Sequence, residues 1–273
     1  TSTSLESSMD NAYRSFSEIE LDQPDEGVLL VTLNRPDQLN AWNEALLSDL
    51  AALWPLVQSD DAVRVVIISG AGRAFSVGGD LEMVAAFTED IEKSVESSVR
   101  YTQVLRALMD LQKPVVAAVN GDVLGGGMGL VLLCDVIFMS SSARMLCGSQ
   151  LNINVMPAPE ALLWRIRGVP DAKAKFHLLR SDMISATTAE SIGLVSAVVD
   201  DDKLMDESVT YASELASRDP MMMGWTKRAL NFELRSAAPL LDEWLAMEAL
   251  SFARASVKPA LQRIRSGSSI EEE

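Results

Sequence analysis

The sequence predicts an α/β fold built on a largely parallel sheet. Four short apolar segments, rich in β-branched residues and bounded by turn residues, are the predicted strands: Val28–Leu33, Val63–Ser69, Val115–Val119 and Val136–Ser140. Patterns with helical spacing lie between them, and an alternation of strands and helices is typical of parallel sheets. After Val199 only helical patterns follow, which predicts a helical C-terminal part.

The helices are predicted from apolar spacing and from end signals. Asn43 is a suitable N-cap for a helix that continues to Gln58. Three C-terminal helices are predicted, two of them beginning with proline, which the first helical turn tolerates: Lys203–Ser217, Pro220–Leu234 and Pro239–Ala255. We therefore expect a flexible tail at residues 1–15, a core at 16–202, a helical part at 203–266 and a flexible tail at 267–273.

Composition narrows the possible functions. The 273 residues suffice for one large domain, and the net charge of −16 disfavours nucleic acid or an anionic membrane as a partner. No apolar run approaches the roughly 20 residues that span a bilayer. The two cysteines, Cys134 and Cys147, lie in apolar segments and give no disulfide framework. We expect buried free thiols, which suit a cytoplasmic location.

Two glycine turns carry the clearest chemical signal. They are AFSVGGDL at Ala74–Leu81 and GDVLGGGMGL at Gly121–Leu130, and each follows an apolar strand and precedes a helix start. Such turns leave backbone N–H groups free to bind an anionic atom. Together they predict an oxyanion hole with one N–H from each turn, and the alternative is that both are only tight turns. Neither has the glycine spacing of a dinucleotide or P-loop site.

Taken together, these motifs resemble those of the crotonase (enoyl-CoA hydratase/isomerase) superfamily. The segments Gly27–Asn43, Arg64–Val84 and Leu178–Val199 extend the likeness, which runs roughly from Gly27 to Leu250. The resemblance implies a crotonase (ClpP-like) fold of stacked ββα turns whose C-terminal helices form a homotrimer or a hexamer (a dimer of trimers). It also implies an acyl-CoA thioester as substrate, with coenzyme A as part of that substrate, no tightly bound cofactor and no metal.

The resemblance assigns the two oxyanion amides to Gly79 and Gly126. They would polarise a thioester carbonyl and stabilise an enolate, and one such donor lowers a barrier by roughly 3–4 kcal/mol. Lys227 and Arg228 are the candidates for a basic cluster that offsets the acidic surface, while Trp42, Met83 and Phe87 are candidates for the acyl pocket or for core packing. The implied contacts to the CoA thioester are Gln38, Leu39, Ala41, Val77, Leu81, Gln150 and Lys227.

The acid and base residues depart from the superfamily pattern. Hydratases of the superfamily use two glutamates, and the matching positions here are Gly129 and Gln150, neither of which can take a proton at neutral pH. The resemblance to single-acid members predicts instead that Glu160 faces the acyl pocket and moves a proton between two carbons. Alternatively, Glu160 is a favourable charge at a helix start. Glu82 is a second candidate base, or a residue on a solvated helix face.

The remaining polar residues leave three functional hypotheses. His177 is the only histidine and lies in a predicted helix away from both glycine turns, so packing is favoured over a Ser-His-Asp or metal site. The first hypothesis is an isomerase- or hydrolase-type enzyme with Glu160 as its carboxylate. The second is a hydratase or lyase that positions water through Gln150, Asn152 or Asn154. The third is a protein that only binds acyl-CoA.

Overall fold

The computed structural model describes Tyr13 and residues 16–266, so the predicted tails at 1–15 and 267–273 lie outside it except for Tyr13. Its strands are β1 Ile19–Asp25, β2 Val28–Leu33, β3 Val65–Gly70, β4 Ala74–Ser76, β5 Val115–Val119, β6 Asp122–Leu124, β7 Val136–Ser140, β8 Arg144–Leu146, β9 Met183–Ser185 and β10 Ala197–Val199. They form a six-stranded sheet in the order β1-β2-β3-β5-β7-β10 and a four-stranded sheet in the order β4-β6-β8-β9. All pairs are parallel except β1–β2 and β8–β9.

Twelve α-helices lie in the part of the chain that the structure describes. They are α1 Glu44–Ser59, α2 Leu81–Glu89, α3 Ile91–Asp110, α4 Gly126–Leu133, α5 Ala158–Ile166, α6 Asp171–Arg180, α7 Ala186–Ser191, α8 Leu204–Ala216, α9 Pro220–Leu230, α10 Phe232–Ser236, α11 Ala238–Ser251 and α12 Val257–Ser266. Two short 3-10 turns cover Pro36–Gln38 and Ser149–Ile153. None of these helices combines the length and the apolar character needed to cross a membrane.

The predicted α/β class and parallel sheet are confirmed. The cap of α1 is also as predicted, because the Asn43 side chain accepts a hydrogen bond from the Leu46 N–H at 2.8 Å. The helix predicted over Pro220–Leu234 is wrong in one respect. It breaks at Asn231, which ends α9 and begins α10.

The large sheet is buried on both faces, as its continuous apolar strands require. Along β3, Val66 and Ile68 point into the main core, where they lie with Leu50 of α1. The alternate residues, Val65 and Ile67, belong to a second cluster with α8. The sheet is therefore a rigid support for the turns that leave its strands.

The topology brings the two glycine turns together. β4 and β6 are parallel neighbours in the small sheet, with Ala74 paired to Asp122. Chain segments that leave neighbouring parallel strands emerge side by side at the same edge. The turn after β4 leads into α2, and the turn after β6 leads into α4, so both helix starts face one site.

Candidate active site

The first glycine turn is held open by the segment before α1. The Trp42 N–H donates to the Gly78 carbonyl at 2.7 Å, and the Asp80 N–H donates to the Trp42 carbonyl at 2.9 Å. Gly78 has a φ of +81°, which a residue with a side chain rarely adopts. This pairing leaves the Gly79 N–H without a hydrogen-bond acceptor among the described residues. Asp80 caps α2 by accepting from the Glu82 N–H at 2.9 Å.

The second glycine turn touches the first. A Cβ atom placed on Gly78 would lie 3.2 Å from the Gly126 nitrogen, and one placed on Gly125 would lie 3.2 Å from the Gly78 Cα. Gly125 is the N-cap of α4, and the N–H of Gly126, the first residue of that helix, also has no acceptor among the described residues. Two unpaired backbone donors therefore come from two adjacent turns.

A cavity of about 310 Å³ opens beside these donors, and Gly79 and Gly126 both line it. Its wall is mainly apolar, and helices α11 and α12 close it from the C-terminal side. The predicted lining residues Val77, Leu81 and Gln150 are present, as are Trp42, Met83 and Phe87. The C-terminal residues in the wall are Leu245, Glu248, Ala249, Phe252, Leu261 and Ile264.

Trp42 and Tyr101 line the cavity beside Gly126. Their rings meet edge to face, with centroids 5.2 Å apart and planes at 88°. The Trp42 indole N–H donates to Ser76 Oγ at 3.0 Å, which fixes the ring against the Gly126 backbone. The Tyr101 hydroxyl donates to the Gly126 carbonyl at 3.0 Å. Sequence reasoning did not single out Tyr101.

Glu160 lies in the first turn of α5 and is fully buried. One carboxylate oxygen accepts from the Gly148 N–H, and the other has no hydrogen-bond partner. Burial is the main cause that raises its pKa to about 8. Glu160 is not part of the cavity wall. The structure therefore does not place it in the acyl pocket as predicted, because its carboxyl is directed to the buried Gly148 N–H instead.

Glu248 of α11 is the carboxylate that does line the cavity. Its Oε2 atom is buried without a hydrogen-bond partner, and burial raises its pKa to about 8. Glu248 was not predicted from the sequence, although the apolar spacing of α11 indicates that it lies on a buried helix face. Leu241, Leu245 and Glu248 follow one another at helical spacing, so the carboxyl stands on the buried stripe of α11.

Gln150 lies between the two carboxyls. Its amide lowers the pKa of both Glu160 and Glu248, which opposes the effect of burial. No hydrogen bond of ordinary geometry joins it to either carboxylate oxygen, and its own Oε1 accepts from Ser149 Oγ at 3.1 Å. Gln150 lines the cavity together with Glu248 and also acts on the buried Glu160.

Two groups of predicted CoA contacts lie outside the cavity wall. Gln38 is exposed on its turn, Leu39 accepts from the Val77 N–H at 3.2 Å through its carbonyl, and Ala41 is buried beside them. The structure does not place Lys227 where it could contact CoA, as the sequence had predicted. Its ammonium is buried, 2.8 Å from Asp135 Oδ2, and donates to the Lys113 carbonyl at 2.8 Å. Because this ammonium is buried as well as paired, it is not presented to a phosphate at the surface.

The other candidates are placed as their non-catalytic alternatives predicted. Glu82 is exposed on α2 outside the cavity wall, and His177 packs between aromatic rings with Asp182 3.1 Å from its Nδ1. Cys134 and Cys147 are free and buried, as predicted, and burial raises the pKa of both thiols. Among the described residues, no three His, Cys, Asp or Glu side chains are grouped so as to hold a metal ion.

The chain is similar to known proteins over most of its length. The sequence profile described as enoyl-CoA hydratase/isomerase matches residues 23–258. The chain belongs to that family, within the crotonase superfamily. It is 34% identical to the 2,3-dehydroadipyl-CoA hydratase of Escherichia coli over 81% of this chain and 84% of the relative. It is also 34% identical to the 1,2-epoxyphenylacetyl-CoA isomerase of E. coli, over 77% of this chain and 81% of that relative.

Solved structures show the same fold. An enoyl-CoA hydratase/isomerase from Mycobacterium paratuberculosis superposes with a TM-score of 0.85 at 30% identity, covering 91% of this chain and 99% of that one. The protein is therefore an enzyme of a family that processes acyl-CoA thioesters. Because the relatives include hydratases and isomerases, membership alone does not choose the reaction.

Proposed function

We propose that the protein binds the thioester of an acyl-CoA between the Gly79 and Gly126 amides and stabilises its enolate there. The observation that carries the proposal is the meeting of two unpaired backbone donors beside one apolar cavity. Donors fixed by the fold need no reorganisation when negative charge develops on the carbonyl oxygen. The apolar wall lowers the local dielectric constant, which strengthens their effect.

Glu248 supplies the proton transfer in this proposal. It is the only carboxylate in the cavity wall formed by the described residues, and its carboxyl, when ionised, can accept a proton from the carbon next to the thioester. Burial holds its pKa at about 8, close to the range in which a general base works well. In this proposal Glu160, the carboxylate predicted from the sequence, does not contact the substrate and acts only indirectly, through its surroundings at Gln150.

Double-bond isomerisation is the reaction that one carboxylate serves best. Glu248 removes a proton from C2 of a 3-enoyl thioester, and the electron pair moves into the enolate. The same carboxyl then returns the proton to C4, so the double bond ends between C2 and C3 with no change in composition. By contrast, the superfamily's hydratases use two glutamates, whose positions here are Gly129 and Gln150.

Hydration is the second candidate, favoured by one observation. The Asn152 side chain lines the cavity and has no hydrogen-bond partner among the described residues, so it is free to hold a water molecule. Isomerisation of trans-3-hexenoyl-CoA and hydration of trans-2-hexenoyl-CoA are followed separately with the same preparation. Faster isomerisation supports the proposal, faster hydration supports the second candidate, and absence of both leaves acyl-CoA binding only.

The anionic part of CoA needs basic residues that Lys227 does not provide. Residues 254–265 carry four basic side chains and no acidic one, although the whole chain has a net charge of −16. This segment contains most of α12, in which Leu261 and Ile264 line the cavity and Arg265 donates to the Leu81 carbonyl at 3.0 Å. We therefore assign the CoA phosphates to this basic segment, at the mouth of the cavity. The basic residues are Arg254, Arg263 and Arg265, together with Lys258, which is exposed and already forms an ion pair with Glu89.

A trimer or a dimer of trimers remains our proposal for the assembly, and a cytoplasmic location our proposal for the compartment. The apolar residues of α11 are divided in the structure: Leu241 and Leu245 are buried within the chain, whereas Leu240, Met247 and Leu250 are exposed. A further exposed apolar group lies on α9 and α10, and burying it between protomers would remove it from water. Its members are Met221, Met222, Trp225, Leu230 and Phe232. Light scattering at micromolar concentration tests this assembly.

A further inference from the structure

The Tyr101 hydroxyl occupies the space that a side chain at Gly129 would need. Gly129 lies on α4, and a Cβ atom added to it would stand 2.2 Å from the Tyr101 hydroxyl oxygen. The hydroxyl reaches this place from α3, a different helix. The next nearest atoms, the Pro159 Cβ and the Tyr101 Cζ, would be 3.4 Å away, which is an ordinary contact. The hydroxyl alone therefore excludes a side chain at position 129.

The tyrosine is held in place at both ends of its ring. Trp42 packs edge to face against it at 5.2 Å between centroids, and the hydroxyl donates to the Gly126 carbonyl at 3.0 Å. Trp42 also lies against the Gly126 backbone, where an added Cβ atom would be 3.6 Å from the indole. Gly126 is thereby fixed by a ring contact and by a hydrogen bond. Rotation of the Gly126–Gly127 peptide, which carries that carbonyl, would break the bond.

The phenol cannot replace a missing base. Burial raises the pKa of Tyr101, and the nearby charges of Glu248 and Glu160 raise it further, so the hydroxyl stays protonated and neutral at ordinary pH. A protonated hydroxyl has one hydrogen to donate, and here the Gly126 carbonyl accepts it. This chemistry suits orientation of the backbone, and it excludes activation of water by Tyr101.

We infer that Tyr101 is a positioning residue: its hydroxyl holds the Gly126–Gly127 peptide through the Gly126 carbonyl and so fixes the adjoining Gly126 N–H as an oxyanion donor, and its presence requires glycine at position 129. The inference rests on the proposed function, because it assigns a reacting oxygen to the Gly126 N–H. A side chain that aligns a donor acts more on the transition state than on the bound ground state. Loss of the hydroxyl therefore lowers kcat more than it weakens acyl-CoA binding.

The first experiment compares Tyr101→Phe with Tyr211→Phe, a control on α8 whose ring packs against Phe138 in the second cluster. Tyr101→Phe is expected to lower kcat for trans-3-hexenoyl-CoA roughly fivefold to tenfold, as loss of one hydrogen bond does, while KM changes less than twofold. The infrared carbonyl band of bound hexanoyl-CoA should shift toward its position in free solution. An unchanged band overturns the inference, whether or not the parent protein turns over a substrate.

The second experiment tests whether the Tyr101 hydroxyl excludes a side chain at position 129. Gly129→Ala should lower the midpoint of thermal unfolding by roughly 2–10 °C, because the methyl group meets the hydroxyl of a fixed ring. Adding Tyr101→Phe should restore most of that loss, since only the hydroxyl stands in the way. Gly129→Ala unfolding at the parent temperature would contradict the inference. So would a double variant that is no more stable than Gly129→Ala, whereas neither result bears on whether Glu248 is the base.

Discussion

Glu160 and Glu248 stand on two different helices on either side of Gln150, and the charge of Glu248 raises the pKa of Glu160. Glu248 lines the cavity, whereas Glu160 is fully buried and is not part of the cavity wall. Two carboxyls that repel each other in a dry place do not ionise together easily. The two carboxyls therefore have different roles. Glu248, which lines the cavity, can react with a substrate, whereas the buried Glu160 can only influence Glu248.

The buried carboxyls make stability fall as pH rises. The pKa of Glu160 is about 8 in the folded chain against an ordinary value of 4.5, so the folded chain binds more protons between these values and raising the pH there favours unfolding. Glu160→Gln stays neutral and should gain about 1 kcal/mol or more of unfolding free energy relative to the parent between about pH 5 and about pH 8. Urea unfolding at both values measures this gain. The exposed Glu243→Gln serves as the control, and equal pH slopes in the parent and Glu160→Gln would contradict the prediction.

The oxyanion assignment is tested by two substitutions at one residue. Gly126→Pro removes the N–H at the first position of α4, where proline fits a helix, and Gly126→Ala keeps the N–H. An added Cβ atom would meet the Trp42 ring at 3.6 Å, an ordinary contact. We expect turnover of trans-3-hexenoyl-CoA to fall roughly a hundredfold or more in the proline variant, and much less in the alanine variant. Circular dichroism establishes that both are folded, and equal rates in folded variants would remove Gly126 from the site.

Lys227 is predicted to stabilise the fold without contributing to CoA binding. Lys227→Met leaves the Asp135 carboxylate without its buried partner, and breaking such a pair costs about 3 kcal/mol or more. Chemical unfolding measures that loss. Calorimetric titration with hexanoyl-CoA, below the unfolding temperature of the variant, should give an unchanged dissociation constant. Arg265→Ala is the comparison, for which we expect weaker binding, and a tenfold loss of affinity in folded Lys227→Met would restore the assignment made from the sequence.

The cavity is predicted to select neutral acyl groups. No Lys, Arg or His lies in the wall formed by the described residues, and Glu248 does, so a carboxylate at the far end of the acyl chain would be buried without a partner. Adipyl-CoA should therefore bind roughly tenfold or more weakly than hexanoyl-CoA, which has the same number of acyl carbons. Competition against a fluorescent acyl-CoA measures both affinities at one ionic strength. Tighter binding of adipyl-CoA would mean that a cation enters the site from elsewhere.

Much of the architecture could be predicted from local sequence, and the reacting carboxylate could not. Strands such as Val115–Val119 follow from apolar runs, and the meeting of Gly79 with Gly126 follows from turns after parallel strands. Glu248 escaped notice because its place depends on how α11 packs across α3, a contact between residues far apart in the chain. Glu160 was predicted as the base because of the loop in which it lies. No local sequence pattern, however, tells whether a carboxyl points into a cavity or away from it.

The proposed reaction is proton exchange between Glu248 and a thioester held by the glycine turns. Its most direct test is α-proton exchange of hexanoyl-CoA in deuterated water, followed by mass spectrometry for the parent, Glu248→Gln, Glu160→Gln and Glu243→Gln. We expect exchange to fall roughly a hundredfold or more in Glu248→Gln, with hexanoyl-CoA affinity within about threefold of the parent, because a general base contributes about that factor. Glu160→Gln should lose less, and Glu243→Gln should match the parent. Exchange by Glu248→Gln at the parent rate would show that Glu248 is not the base.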